Sequence, residues 1–212
     1  MDSWPLVQVG SFAKQRRETV RLEPGINYTT MGVRWHGKGA YDRGTGTTET
    51  IKAKTLFRAR SNDFVFNRID TQKGAFDVVP SFLEGALATN EFPLYETDAE
   101  ALLPHFLLIY FRQESVLRSI ETSRGGSEGR ARWKEHDFES WWIPLPDLPV
   151  QRRIVDLVSS VERCASVLDE ESGGSGVGLG SLLGFRSALT RALFNQEIEI
   201  PESYDALLGQ VD

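Results

Sequence analysis

Residues 143–155 read IPLPDLPVQRRIV, and the pattern of apolar residues along the chain changes at this stretch. Proline holds φ at about −65° and disfavours the α conformation in the residue before it, so a helix is expected to begin only after Pro149. The apolar residues that follow are spaced by four, three, four and three positions: Ile154, Val158, Val161, Ala165 and Leu168. This spacing is typical of a helix that packs against another helix, and it predicts a helical arm.

A second apolar series, at spacings of three and four, consists of Leu182, Phe185 and Leu189. A glycine-rich break at 172–181 separates the two series, and each glycine in a helix interior costs up to about 1 kcal/mol relative to alanine. We therefore expect two helices that fold back as an antiparallel pair, with a single bent helix as the alternative. The predicted domains are residues 1–149 and the arm, residues 150–212.

The first two thirds of the chain contain short β-type runs broken by Gly, Asp, Asn and Pro, including 27–35, 56–70 and 74–80. They predict a mixed, mainly antiparallel sheet. The alternation of Phe64, Phe66 and Ile69 with polar residues, followed by a glycine-centred turn and another apolar run, is typical of a hairpin core. One helix is expected at 98–120, where Pro104 either occupies the first turn or splits the helix in two. The predicted fold class is therefore α+β, with a sheet domain followed by the helical arm.

Two glycine-rich segments without an apolar period, 35–49 and 121–138, are expected to be loops. Both lie in positively charged blocks of a chain whose formal net charge is −6. Residues 1–73 carry 13 basic and 7 acidic side chains, and residues 112–134 carry 6 and 3, whereas residues 135–212 carry 5 and 14. The charge pattern fits either a positive face that attracts phosphate or ordinary surface charge.

Several classes of site are disfavoured. The segment GVRWHGKG (32–39) approaches a phosphate-binding loop, but glycine stands where the magnesium-binding hydroxyl is needed. The histidines lack partners at metal-ligand spacing, so neither a metal nor a cofactor is implied. The single cysteine, Cys164, allows no internal disulfide, and neither a leader nor a long apolar run is present, so we expect a cytoplasmic protein outside the membrane.

Three stretches resemble the target-recognition half of a specificity subunit from a type I restriction-modification system. The first is LFRARSNDFVFNRIDTQKGAFDVVPSFLEGALATNEFPLYE (56–96), with its Gly-Ala-Phe turn and Val-Pro step. The second is SRGGSEGRARWKEHDFESWWIPLPDLPVQRRIV (123–155), which leads into the helical region. The third, RALFNQEIEIPESYD (191–205), is similar to the end of such helical regions.

This resemblance implies a subunit without catalytic activity that recognises double-stranded DNA in a defence system. Catalysis then belongs to partners: an adenine-N6 methyltransferase subunit and, in some systems, an ATP-dependent restriction subunit. Family members usually carry two recognition domains, whereas this chain shows one and no internal repeat. A homodimer, or pairing with another half subunit, is therefore expected.

Candidate site residues follow from these inferences. Cations in or beside glycine-rich loops and turns are the DNA-binding candidates: Arg34, Lys38, Arg43, Arg68, Lys73, Arg124, Arg130, Arg132 and Lys134. The apolar residues of the arm are the candidates for a dimer or partner interface: Ile154, Val158, Val161, Leu168, Leu182, Phe185 and Leu189.

Two other readings stay open at the level of sequence. One is a helical adaptor whose basic loops bind an acidic protein partner instead of DNA. The other is a nuclease that uses carboxylates such as Asp63 and Asp70.

Overall fold

The computed structural model describes residues 3–123, 132–171 and 179–208, and it confirms the α+β class. The chain divides into two compact units: Val7–Ile143 forms one, and Met1–Leu6 together with Pro144–Asp212 forms the other. We call them the sheet unit and the arm unit. Residues 3–6 thus group with the arm unit, and the division after residue 149 stays a prediction.

The strands, in chain order, are β1 (Leu6–Gln8), β2 (Ala13–Arg16), β3 (Tyr28–Arg34), β4 (Gly39–Gly46), β5 (Leu56–Arg58), β6 (Phe64–Phe66), β7 (Phe76–Val78), β8 (Leu87–Thr89), β9 (Leu94–Thr97) and β10 (Trp142–Pro144). They form a sheet of order β2-β9-β6-β7, a second sheet of order β4-β3-β8-β5, and the pair β1-β10. All the pairings in the two larger sheets are antiparallel except β3 with β8.

The helices, in chain order, are α1 (Pro104–Phe111), α2 (Glu114–Ser123), α3 (Glu135–Glu139), α4 (Leu148–Glu171) and α5 (Leu179–Phe194). The single helix predicted at 98–120 is therefore two helices. Pro104 begins α1, where its missing N–H is not needed, and the break falls after Phe111.

An aromatic core holds the first sheet against α1 and α3. Phe64, Phe66, Phe76, Phe111 and Phe138 are all fully buried. The ring centroids of Phe64 and Phe138 lie 5.3 Å apart in a stacked arrangement, and those of Phe76 and Phe111 lie 5.1 Å apart. Such pairs contribute beyond the area that they bury. The hairpin expected from the Phe64 and Phe66 pattern is present, because β6 pairs antiparallel with β7.

The segment 35–49, predicted as a loop, instead supplies strand β4. This strand pairs with β3 from Tyr28 opposite Gly46 to Arg34 opposite Gly39. The tip between them contains His36 and Gly37 at φ of 59° and 68°, and consecutive positive φ values are the mark of a type I′ turn. The glycines that suggested a loop therefore serve to close and bend a hairpin.

The arm unit contains α4 and α5 as an antiparallel pair. The direction follows from two positions: Ile154 and Leu193 line one cavity, and Glu162 pairs with Arg186 at 2.6 Å, so the two helices run in opposite senses. Helix α4 begins at Leu148, with Pro149 inside its first turn, two residues earlier than the prolines suggested. The carboxylate of Asp147 caps this turn by accepting from the N–H of Val150 at 3.1 Å.

The chain ends hold the arm unit together. Trp4 packs edge-on against Phe194, and Arg153 donates two hydrogen bonds, of 2.6 and 2.7 Å, to the carboxylate of Asp205. The hydroxyl of Tyr204 donates to Asp156 at 2.7 Å. The segment after α5 is therefore fixed to α4 by charged and polar contacts. In the described part of the chain, no helix has the length and apolarity needed to cross a bilayer.

Two glycines of the β3–β4 hairpin form a matched test of this geometry. Both have positive φ, 68° at Gly37 and 73° at Gly39, so alanine costs about 1 kcal/mol at either position. An added Cβ meets nothing within 4 Å at Gly37, but at Gly39 it would lie 2.5 Å from Oδ2 of Asp77. We expect Gly39→Ala to lower the free energy of unfolding by roughly 1–3 kcal/mol more than Gly37→Ala, measured by urea unfolding. Equal losses would contradict the packing described here.

Candidate nucleic-acid interface

The β3–β4 hairpin has two different faces. Successive side chains of a strand point to opposite sides, and Met31 and Val33 are buried in the core on one side. The other side of β3 carries Thr30, Gly32 and Arg34. The hairpin therefore packs through one face and presents the second outward.

The outward face carries an ordered arginine. The Cζ atom of Arg34 lies 4.0 Å from the centroid of the Tyr41 ring, within the range of a cation–π interaction. Gly32 lies opposite Tyr41, and a Cβ there would come within 3.0 Å of the Tyr41 ring and 2.9 Å of Cδ of Arg43. The absence of a side chain at Gly32 thus makes the space in which Tyr41 and Arg43 lie.

The tip of the hairpin is braced by the neighbouring turn. The backbone N–H of His36 donates to the carbonyl oxygen of Lys73 at 2.6 Å, and that of Gly37 donates to Gly74 at 3.1 Å. The ammonium of Lys73 lies 4.7 Å from the centroid of the Trp35 ring. Trp35 remains 42% exposed, so the tip offers an aromatic surface beside a cation.

The base of the tip is fixed by Asp77 of β7. Its carboxylate accepts from the N–H of Ala40 at 2.5 Å and contacts Nη2 of Arg112 at 3.4 Å. The same Arg112 nitrogen donates to the carbonyl oxygen of Phe76 at 3.2 Å. The carboxylate of Asp77 is therefore a second attachment of the hairpin to the other sheet, besides the backbone bonds at Lys73 and Gly74.

Three of the predicted DNA-binding residues come together on the hairpin. Arg34, Lys38 and Arg43 are all exposed, and none pairs with a carboxylate of the described residues. Lys73, also among the predicted residues, lies beside them in the turn that braces the tip, although its ammonium contacts Asp70 at 2.9 Å. The four cations thus lie close together, on the hairpin and on the turn that braces it.

The second group of predicted residues is electrostatically different. Arg68 is only 16% exposed in its side chain and lies 3.5 Å from Glu135, and Arg132 contacts Glu91 at 2.7 Å. Arg68 therefore belongs to the packing of the sheet unit, which the sequence did not indicate. Lys134 is exposed at the start of α3. Arg124 and Arg130 lie outside the described residues.

Tyr41, Trp35 and Gly32 were not among the predicted site residues. The pairing of Gly32 with Tyr41 could be predicted only from the register of the hairpin. Because the segment 35–49 was predicted to be a loop, no register was available. The available signal was the position of Tyr41 two residues before Arg43, which is the spacing of one strand face.

The predicted interface residues of the arm fall into three classes. Ile154 and Val158 are buried within the chain. Val161, Leu182 and Leu189 are partly buried. Leu168 and Phe185 are 49% and 54% exposed, and the neighbouring Val167 is equally open.

The two carboxylates considered for nuclease chemistry have structural roles. Asp63 is 2% exposed and accepts from Nε of Arg16 at 2.9 Å. Burial raises the pKa of Asp63, while the bonds from the Arg60 backbone and from Arg16 act in the opposite direction. Asp70 contacts Lys73. Among the described residues, no group of three His, Cys, Asp or Glu side chains is placed to hold a metal ion.

Comparison with known proteins places the fold. No protein-family model and no curated protein matches the chain. The HsdS subunit from Thermoanaerobacter tengcongensis matches with a TM-score of 0.66 and 22% identity, over 80% of this chain and 45% of that one. The type I restriction-modification S subunit from M. genitalium matches with a TM-score of 0.50 and 14% identity, over 79% and 41%.

A third structure, which concerns complex assembly and conformational transition of the type I R-M system, matches with a TM-score of 0.51 and 16% identity, over 92% and 46%. The chain thus spans less than half of the length of each matched chain. At these identities the likeness establishes a shared fold, and at that level it confirms the resemblance stated from the sequence.

The pairing of Arg132 with Glu91 predicts a change in polyanion affinity. Glu91→Gln removes the carboxylate that holds a partly exposed guanidinium, so we expect this variant to elute from a heparin column at higher salt than the parent. Glu100→Gln is the control, because Glu100 is exposed and makes no ion pair with the described residues. Equal shifts for both variants would mean that only net charge matters.

Proposed function

We propose that this chain is the target-recognition half of a type I restriction-modification specificity subunit, a reader of double-stranded DNA without catalytic activity of its own. The fold shared with S subunits supports the class. The observation that carries the proposal is the cluster of Arg34, Lys38 and Arg43 on one hairpin, exposed and unpaired among the described residues.

Electrostatics explains why unpaired cations matter more than the total charge. A cation that neutralises a phosphate releases condensed counterions, and this release supplies much of the affinity for DNA. An arginine already paired with a carboxylate must first give up that partner. The hairpin is therefore a better phosphate surface than the Arg68 and Arg132 region, although the whole chain carries a net charge of −6.

Catalysis in this proposal belongs to partner subunits. The chain would position an adenine-N6 methyltransferase, and in some systems an ATP-dependent restriction subunit, over a chosen sequence in the cytoplasm. Its part in defence is to decide where these enzymes act. In this proposal the strands and helices outside the hairpin are the scaffold that carries it.

The exposed apolar residues of the arm suggest a symmetric assembly. This chain covers less than half of each matched chain, and in the proposed assembly two copies, or this chain and another half subunit, form a bipartite reader. The exposed apolar residues Leu168 and Phe185 of the arm are the surface that we assign to this contact. Ile154 and Val158 are excluded because they are already buried.

Duplex binding is tested by its dependence on salt. The slope of log K against log salt is about −0.9 for each phosphate neutralised. We expect the triple variant Arg34→Ala, Lys38→Ala, Arg43→Ala to bind a duplex library at least roughly tenfold more weakly and with a shallower slope, by roughly 0.9 per lost contact. Fluorescence anisotropy of a labelled duplex at several salt concentrations measures both quantities.

The control for this experiment removes the same charge from the arm, through Arg152→Ala, Arg163→Ala and Arg191→Ala, all exposed positions. If the two triple variants weaken binding equally, the hairpin is not the DNA surface. If the parent chain binds no duplex but captures an acidic protein, the adaptor reading replaces the proposal.

Assembly through the arm is tested by charge insertion. Leu168→Glu with Phe185→Glu places two carboxylates on the exposed apolar surface. We therefore expect the dissociation constant of the dimer to rise at least roughly tenfold. Sedimentation equilibrium measures the change. Ser166→Glu with Ser187→Glu, at exposed polar positions of the same helices, is the control that should retain the dimer. A parent chain that is monomeric, alone and with its methyltransferase, would refute the assembly.

A further inference from the structure

We propose that Arg34 reads a guanine in the major groove, and that Tyr41 is the residue that positions it. The inference rests on the proposed function and assigns roles within that surface. Its basis is the stacking of Arg34 over Tyr41, in the space left by Gly32, on the outward face of the hairpin.

The combination of four properties distinguishes Arg34 from the other cations of the hairpin and its brace. Arg34 is exposed, it pairs with no carboxylate of the described residues, its guanidinium is planar, and an aromatic ring restricts its position to 4.0 Å from the centroid. A guanidinium offers its N–H donors in a rigid fork, which fits O6 and N7 of guanine together. Restricting this fork before binding lowers the ordering entropy that the complex would otherwise lose.

The remaining cations fit phosphate contacts better. Lys38 and Lys73 carry a rotating ammonium without a preferred plane, and Lys73 is also shared between Asp70 and the Trp35 ring. Arg43 approaches the Gly32 position through its aliphatic Cδ. Phosphate accepts charge from many directions, so these side chains can fix the hairpin on the backbone without specifying a base.

The hairpin also has the shape that the major groove admits. A two-stranded ribbon fits the groove of B-DNA, which is about 12 Å wide. The ribbon here is β3 with β4, closed by a two-residue turn and braced at its tip by the bonds to Lys73 and Gly74. Arg34 is the last residue of β3 and pairs with Gly39, so no opposing side chain covers it across the ribbon.

The experiment uses the full chain and a duplex selected by it from a library with a randomised centre. Each guanine of the selected duplex is then replaced in turn by 7-deazaguanine, which lacks the N7 acceptor. We expect one position per half-site at which this change weakens binding by the parent roughly ten- to a hundredfold. In Arg34→Ala the same replacement should have no further effect, because the donor that used N7 is gone.

Variants of Arg34 and Tyr41 distinguish recognition of the guanine from non-specific attraction by positive charge. Arg34→Lys should keep the salt slope within about 0.2 of the parent value, because the charge is retained, yet lose the preference at that guanine. Tyr41→Phe should keep the preference, and Tyr41→Leu should reduce the preference at that guanine by a larger factor than it reduces binding to unselected duplex. Near-ultraviolet and far-ultraviolet circular dichroism confirm the fold of each variant.

The outcomes are distinct. If no duplex can be selected, the proposed function fails. If a duplex is selected but the loss caused by 7-deazaguanine persists in Arg34→Ala, or no guanine shows a loss in the parent, the assignment of Arg34 is overturned while the proposed function stands. If Tyr41→Leu retains the full preference, Tyr41 does not position Arg34.

Discussion

The carboxylate of Asp77 is the contact on which the placement of the hairpin depends. It accepts the N–H of Ala40 at 2.5 Å from one sheet and lies beside Arg112 in the other layer. A half-buried carboxylate is stable in such a place only with charged and hydrogen-bonding partners. Gly39 allows the approach, since any side chain there would occupy the position of Oδ2. Together with the backbone bonds at Lys73 and Gly74, this attachment holds the tip and the strands that carry the outward arginines.

Arginines of the sheet unit fall into two electrostatic populations. Arg16 pairs with Asp63, and Arg60 pairs with both Glu18 and Glu84, so these cations hold the fold together. The arginines of the hairpin lack such partners among the described residues. Counting charge by segment cannot separate the populations, because a partner distant in sequence neutralises a cation as well as a near one. Only the tertiary structure shows which positive charges remain available to a ligand.

The sequence predicted the class of the fold, the β6–β7 hairpin and the helices of the arm, because these depend on local periodicity. It missed β4, since Gly39 and Gly44 suggested a loop, and both in fact adopt positive φ within a bent hairpin. The apolar spacing on α4 correctly predicted a helix that packs against another helix. This spacing does not say whether the other helix lies in the same chain. Ile154 is buried by its own unit, whereas Leu168 is not, and this difference is a property of the helix pair.

Because side chains alternate along β3, one face of the strand packs in the core and the other faces outward. Met31 and Val33 belong to the buried core, whereas Arg34 on the opposite side is exposed. Substitutions outward can therefore accumulate without loss of the native state, while the inward residues stay under selection for volume. Under the proposed function, such a strand permits evolutionary drift in target preference at constant stability, because single exchanges of outward residues leave the scaffold unchanged.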